Sequence, residues 1–164
     1  MISNKNRLLE ALDILESIGM PKEQLNDRTA IALLALIDLS RDKSWSQATN
    51  PMLTIRHILD FARTKFRIDY AENTRESIRK YSVKQLVEAG VLLHNPDDPI
   101  RPVNSALNCY QVDKMALKLF KQYGSAGWDK ALSRYVKLRP KLVESFAKRR
   151  EMSRLSVKLL VANR

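Results

Sequence analysis

The chain has 164 residues, 45% apolar and 29% charged, with a net charge of +11, which suits one domain with a packed core. One cysteine, Cys109, excludes an internal disulfide framework, and the apolar run Thr29 to Ile37 is far shorter than the ~20 residues needed to cross a bilayer. Glu10, Asp13 and Glu16 break up the apolar positions near the start, so no signal peptide is read and a soluble, cytoplasmic protein is expected.

From the start of the chain, Leu8, Leu12, Leu15 and Ile18 recur at helical spacing over Asn4 to Ile18, with Gly19 at the end and Pro21 beyond. Asp27 is read as the cap of a second helix, Arg28 to about Leu39. Its stretch Ala30 to Ile37 is apolar nearly all round and belongs in the centre of a core. Trp45, between Ser44 and Ser46, is expected to cover one end of that core. Pro51 or Thr54 opens a third helix whose buried stripe is Ile55, Ile58, Leu59, Ala62 and Phe66. A joint over Arg67–Glu72 leads to the next helix, where Asn73-Thr74-Arg75-Glu76 has the form of a capping box. Ile78, Tyr81, Ser82, Gln85, Leu86 and Ala89 fall on one side of it, and Arg75, Arg79, Lys80 and Lys84 fall mostly on another. Gly90 sits where a helix end needs positive φ.

Val91-Leu92-Leu93 then reads as a strand, Asn95-Pro96-Asp97-Asp98-Pro99 as a turn and Cys109-Tyr110-Gln111-Val112 as the returning strand. Asp113 caps a helix to Tyr123, closed by Gly124. Ser125 opens another through Trp128, Leu132, Tyr135 and Val136, with a break at Arg139-Pro140. Leu142, Val143 and Phe146 carry a last helix ending in Lys148-Arg149-Arg150, and Leu155 to Ala162 is read as a strand. The predicted fold is mostly α: a winged helix-turn-helix with additional N- and C-terminal helices and one small β-hairpin. It occupies residues 1–154, with 155–164 as the start of a strand or a linker.

The charge is uneven. Residues 1–40 hold four basic and six acidic residues, a net −2, which leaves +13 on residues 41–164. Each Lys or Arg set against a phosphate releases condensed counterions, so nucleic acid is favoured over a charge that serves only solubility. Arg75 and Arg79, one turn apart near the start of the basic helix, suit the O6/N7 acceptors of guanine in a major groove. Asn73 and Thr74 at the helix end suit phosphate, and Lys80 and Lys84 extend the basic face. Asp97-Asp98 makes the hairpin tip acidic and unsuited to gripping phosphate, so Arg101 and Asn104 on the returning side are the preferred wing contacts. Each has a plainer reading: Arg79 or Lys80 paired with Glu76 on a solvated face, and Arg101 and Asn104 both stabilising the turn. Lys148-Arg149-Arg150 with Arg154 and Lys158 is equally a basic helix end favoured by the macrodipole.

No catalytic set emerges. His57, His94 and Cys109 lack metal-ligand spacing, the glycines at 19, 90, 124 and 127 form no phosphate loop, and no Asp or Glu has a Lys two positions on.

Several of these stretches also carry a resemblance. Tyr70-Ala71-x-Asn73-Thr74-Arg75-Glu76-x-Ile78-Arg79, then Asn95-Pro96-Asp97, Arg101-Pro102-Val103-Asn104-Ser105 and Tyr110, resemble the N-terminal domain of BsuBI/PstI-type type II restriction endonucleases. Upstream, Asn26-Asp27-Arg28, Leu33-Leu34-Ala35-Leu36, Trp45, Ala48 and Pro51 extend the likeness, which runs from about Met20 to Met152. The resemblance implies sequence-specific binding of double-stranded DNA, as the recognition domain of a type II restriction endonuclease in a restriction-modification system. It also implies a homodimer on a palindromic site; no membrane partner is expected, given the short apolar run. The family's PD-(D/E)xK nuclease domain, with its Mg²⁺, would follow near Leu155–Arg164, so no cofactor is expected in these residues. Where many members read Arg-Arg-Gln-Thr in the recognition helix, this chain has Arg79-Lys80-Tyr81-Ser82. A stand-alone winged-helix regulator and a helical domain whose basic face meets an acidic protein stay open as alternatives.

Overall fold

The computed structural model describes residues 2–140 and, beyond them, Glu144, Lys148, Glu151 and Met152. Helix α1 (Asn4–Ser17) starts where Ser3 Oγ accepts from the Asn6 N–H at 3.1 Å. It ends in a Schellman pair, Met20 N–H to Leu15 O and Gly19 N–H to Glu16 O, with Gly19 at φ +87° as its spacing predicts.

Helix α2 (Asp27–Leu36) is the axis of the core, with every residue from Thr29 to Leu36 buried. Its cap is Asn26 and not Asp27. Asn26 is the extended residue, and its Oδ1 accepts from the Thr29 N–H at 3.0 Å, whereas Asp27 is already helical. Trp45 is 5% exposed and covers one end of the core as expected, against Tyr123 (ring centroids 5.2 Å) and beneath the Arg7 guanidinium (5.6 Å). Helix α3 (Ile55–Phe66) is capped by Thr54, and His57 returns the second bond by accepting from the Thr54 N–H at 3.0 Å. Its buried stripe is Ile55, Ile58, Phe61, Ala62 and Phe66, with Leu59 only partly covered.

After Arg67 at φ +57°, a joint of coil and turn leads into one continuous helical run. The run consists of α4 (Thr74–Ser77), a π-helical segment (Ile78–Val83) and α5 (Lys84–Glu88). The predicted capping box is absent. Asn73 itself has helical φ and ψ, so its side chain makes no cap bond, and the Thr74 and Arg75 N–H groups donate to Ala71 O and Glu72 O. Glu76 turns instead to Arg79. The π turn also changes the phase of the helix. A wider turn carries Tyr81 outward to 52% exposure and leaves Gln85 half-buried, while Val83 and Val87 join Ile78, Ser82 and Leu86 inside. Ser82 and Thr29 share a buried hydroxyl contact of 2.9 Å that joins this turn to α2. A Schellman pair ends the run, with Gly90 at φ +79° and bonds from Val91 N–H to Leu86 O and Gly90 N–H to Val87 O.

Strands β1 (Leu92–His94) and β2 (Tyr110–Val112) pair antiparallel, with His94 opposite Tyr110. Leu53 bridges Tyr110 on the other side, which ties the hairpin to the segment before α3. Helix α6 (Lys114–Phe120) is capped by Asp113 as expected but stops before Tyr123, which lies in a turn ahead of Gly124. Residues 128–140 are helical, starting three residues after the expected opening at Ser125, and Arg139 and Pro140 are the last residues of that described stretch. Arg139 anchors it by donating to Ile18 O and, at 3.4 Å, to Ala89 O. Glu144 and Lys148 are helical and paired at 3.2 Å. Leu142, Val143, Phe146, Arg149, Arg150 and the strand expected at 155–162 lie outside the described residues.

The fold is mostly helical, with a helix-turn-helix (α3 and the run from Thr74) followed by a β-hairpin. No helix among the described residues is long and apolar enough to cross a membrane.

Candidate nucleic-acid interface

The helical run and the hairpin loop face each other across an open groove. Arg75, Glu76 and Arg79 form one wall; Val103, Asn104 and Asn108 stand on the other. Asn73 is exposed and Thr74 half-exposed at the entry of the run, beside the groove rather than in it. Arg75 is half-exposed and makes no ion pair or side-chain hydrogen bond among the described residues. Lys80 and Lys84 are exposed, and the Lys80 ammonium lies 5.3 Å from the Tyr81 ring centre. The structure therefore brings Arg75, Arg79 and Asn104 together, and leaves Asn73, Thr74, Lys80 and Lys84 on the flanks.

Arg79 is held by Glu76, its Nε donating at 3.1 Å and its Nη2 to the other carboxylate oxygen. The bonds from Arg79 lower the Glu76 pKa and raise that of Arg79. Both side chains are well exposed, so this pair adds little to stability.

Arg101 has a different role from the one sought in a wing contact. Its side chain is only 11% exposed, and its guanidinium donates to Asn95 Oδ1 (2.9 Å), Leu107 O (2.8 Å) and Asp97 (2.7 Å). Asn95, 3% exposed at φ +49°, latches the other end: its Oδ1 also accepts from the Cys109 N–H at 2.8 Å. Asn108 donates to Val103 O and Ser105 O, both at 2.8 Å. These bonds fix the loop between β1 and β2 before any ligand arrives. Arg101 is thus its organiser, the plainer of its two readings, and Asn104 is exposed on the groove wall beside Val103 and Ala106.

Arg101, followed by the Cys109 thiol, holds the Asp97 carboxyl down at about 2. A depressed folded-state pKa contributes stability above the ordinary carboxylate value, near 3.9, and that contribution is lost as pH falls through about 2. An NMR titration of the Asp97 carboxyl is expected to find its midpoint near the lower value. Replacing Arg101 with Met should move it back towards the ordinary one; a wild-type midpoint near 4 would show that the latch does not hold in solution.

The Glu76–Arg79 pair is the plainer reading of Arg79, and it places Glu76 in the groove; Asn108 is a groove residue with no place among the expected contacts. The spacing of Glu76 three residues before Arg79 is what makes that pair legible in the sequence. No sequence signal marks Asn108, because its place depends on how the loop closes.

Residues 5–144 match the family model for the BsuBI/PstI restriction endonuclease HTH domain. The chain belongs to this family. It is 41% identical over 150 residues to the type II restriction enzyme BsuBI of Bacillus subtilis, covering 92% of this chain and 48% of that protein. To the type II restriction enzyme AplI of Arthrospira platensis it is 35% identical over 152 residues, covering 93% of this chain and 47% of the relative. A solved structure of SdaI restriction endonuclease matches with a TM-score of 0.75 at 30% identity, over 84% of this chain and 43% of that one. The chain spans about half the length of the curated relatives it matches. The helix-turn-helix of this BsuBI/PstI domain presents Arg75 and Arg79 opposite Asn104 of the hairpin loop.

Proposed function

We propose that the chain binds double-stranded DNA sequence-specifically, as the recognition domain of a type II restriction endonuclease. The observation that carries this reading is the groove in which Arg75 and Arg79, on the helix-turn-helix, face Asn104 on a preformed hairpin loop. In this reading Arg75 and Arg79 meet base edges in the major groove, where an Arg fork matches guanine. Asn73 and Thr74 meet phosphate at the helix start, Lys80 and Lys84 flank the contact, and Asn104 contributes from the wing. Two copies on a palindrome would each read one half-site.

Cleavage belongs elsewhere in this reading. The 164 residues contain no D/E-x-K segment, and a Mg²⁺-dependent nuclease centre falls to the other half of a full-length relative. Selection on a random duplex pool is expected to enrich one short sequence, and plasmid incubated with the chain and Mg²⁺ is expected to stay intact. Absence of duplex binding even at low salt would overturn the recognition role. Metal-dependent cutting by the purified chain would overturn the division of labour.

A further inference from the structure

Glu76 is the only acidic residue among the described residues lining the groove, and it stands between Arg75 and Arg79. A carboxylate in that position is a poor choice for a surface that only has to hold DNA, because it repels every phosphate that approaches. Nor does it secure the fold, since the Glu76 and Arg79 side chains are 65% and 47% exposed and such pairs contribute little.

Its geometry suggests another use. Glu76 engages the Nε and Nη2 edge of Arg79. The Nη1–Nη2 end of the same guanidinium has no other partner among the described residues. That end presents two parallel N–H donors, the pattern that fits O6 and N7 of guanine. An Arg without such a neighbour can swing to phosphate and contribute equally on every sequence. One fixed by a carboxylate keeps a direction, and the negative charge beside it opposes the phosphate contact.

Resting on the DNA-recognition reading above, we propose that Glu76 is a specificity-determining residue. It positions Arg79 with its free end towards a guanine edge, and its charge suppresses phosphate contact at this point of the helix. Arg79 then adds affinity where a guanine is present and little elsewhere. The first turn of a helix also favours a carboxylate through the macrodipole, but that effect would leave discrimination between DNA sequences unchanged.

The test compares wild type with Glu76→Gln on two probes: the duplex enriched by wild type from a random pool, and a scrambled duplex of equal length. Glu76→Gln is expected to tighten binding to the scrambled duplex and to steepen the dependence of log K on log salt by about one unit, one added phosphate contact. Discrimination between the two duplexes is expected to fall about tenfold. In an Arg79→Ala background Glu76→Gln should leave discrimination unchanged, because Glu76 acts through Arg79. Glu76→Ala, which removes the acceptor as well as the charge, should reproduce the fall, and an unchanged Tm shows that each variant is folded. If wild type prefers no sequence, the recognition reading fails and this inference with it. If wild type has a preference that Glu76→Gln and Glu76→Ala both keep in full, only the assignment to Glu76 is overturned.

Discussion

Leu86→Ala is expected to lower stability by about 2–5 kcal/mol, the range for deleting most of a leucine from a packed interior. Leu86 is 0% exposed and sits on the turn just after the π segment, and its carbonyl closes the helix end by accepting from Val91 N–H at 3.0 Å. The site is confined by the helix end at Gly90 and the strand that follows, so the cavity has little room to collapse. Lys84, two residues earlier and exposed, should change stability by about 0.5 kcal/mol or less when replaced with Ala. Denaturant midpoints measure both. The same experiment tests the phase shift: Val83→Ala, at 0% exposure, should cost more than Tyr81→Ala, at 52%. The reverse order would mean that the helix runs without its wide turn.

That phase shift marks one limit of what the sequence shows. Ile78, Ser82 and Leu86 were legible as an inward stripe because three residues on a regular period suffice to define a face. The same regular period places Tyr81 inward, and it points out because the segment Ile78–Val83 is π-helical, a wider turn with no local signal in the sequence. Helix ends that depend on local bonds were easier. Gly90 takes the positive φ expected of it, and Gly19, read as the end of α1, takes one as well. Asn26 and Asp27 are both competent caps, and their order was decided only by which of them stays extended at the helix entry.

The candidate site divides in the same way. Arg75 and Arg79 follow from spacing along one helix. Arg101 could not be assigned from spacing, because its role depends on a loop that closes between Asn95 and Cys109 through bonds from side chains to distant backbone. Once Asn95 is buried, its amide must be satisfied, and Arg101, Asn108 and the Cys109 N–H supply the partners. Arg101 is thereby withdrawn from any ligand, and Asn104 remains on the groove side.

Arg79→Ala should then have the largest effect on how DNA is read. If Arg79 makes a bidentate contact to guanine, its loss costs about 1–3 kcal/mol on the preferred duplex and flattens discrimination at one base pair. If it meets only phosphate, the loss is similar on every sequence and the salt dependence falls by about one unit. The free Nη1–Nη2 end and the carboxylate of Glu76 behind it favour the first outcome. Lys118 is the control: it is exposed on α6, outside the helix-turn-helix and the groove, so Lys118→Ala should leave both quantities unchanged. The measurement is affinity for the selected duplex and for a set of single-base variants, at two salt concentrations. An Arg79→Ala protein that keeps full discrimination at every position would remove Arg79 from the reading residues. The base contact would then pass to Arg75, the second arginine of the groove, which unlike Arg79 makes no ion pair among the described residues.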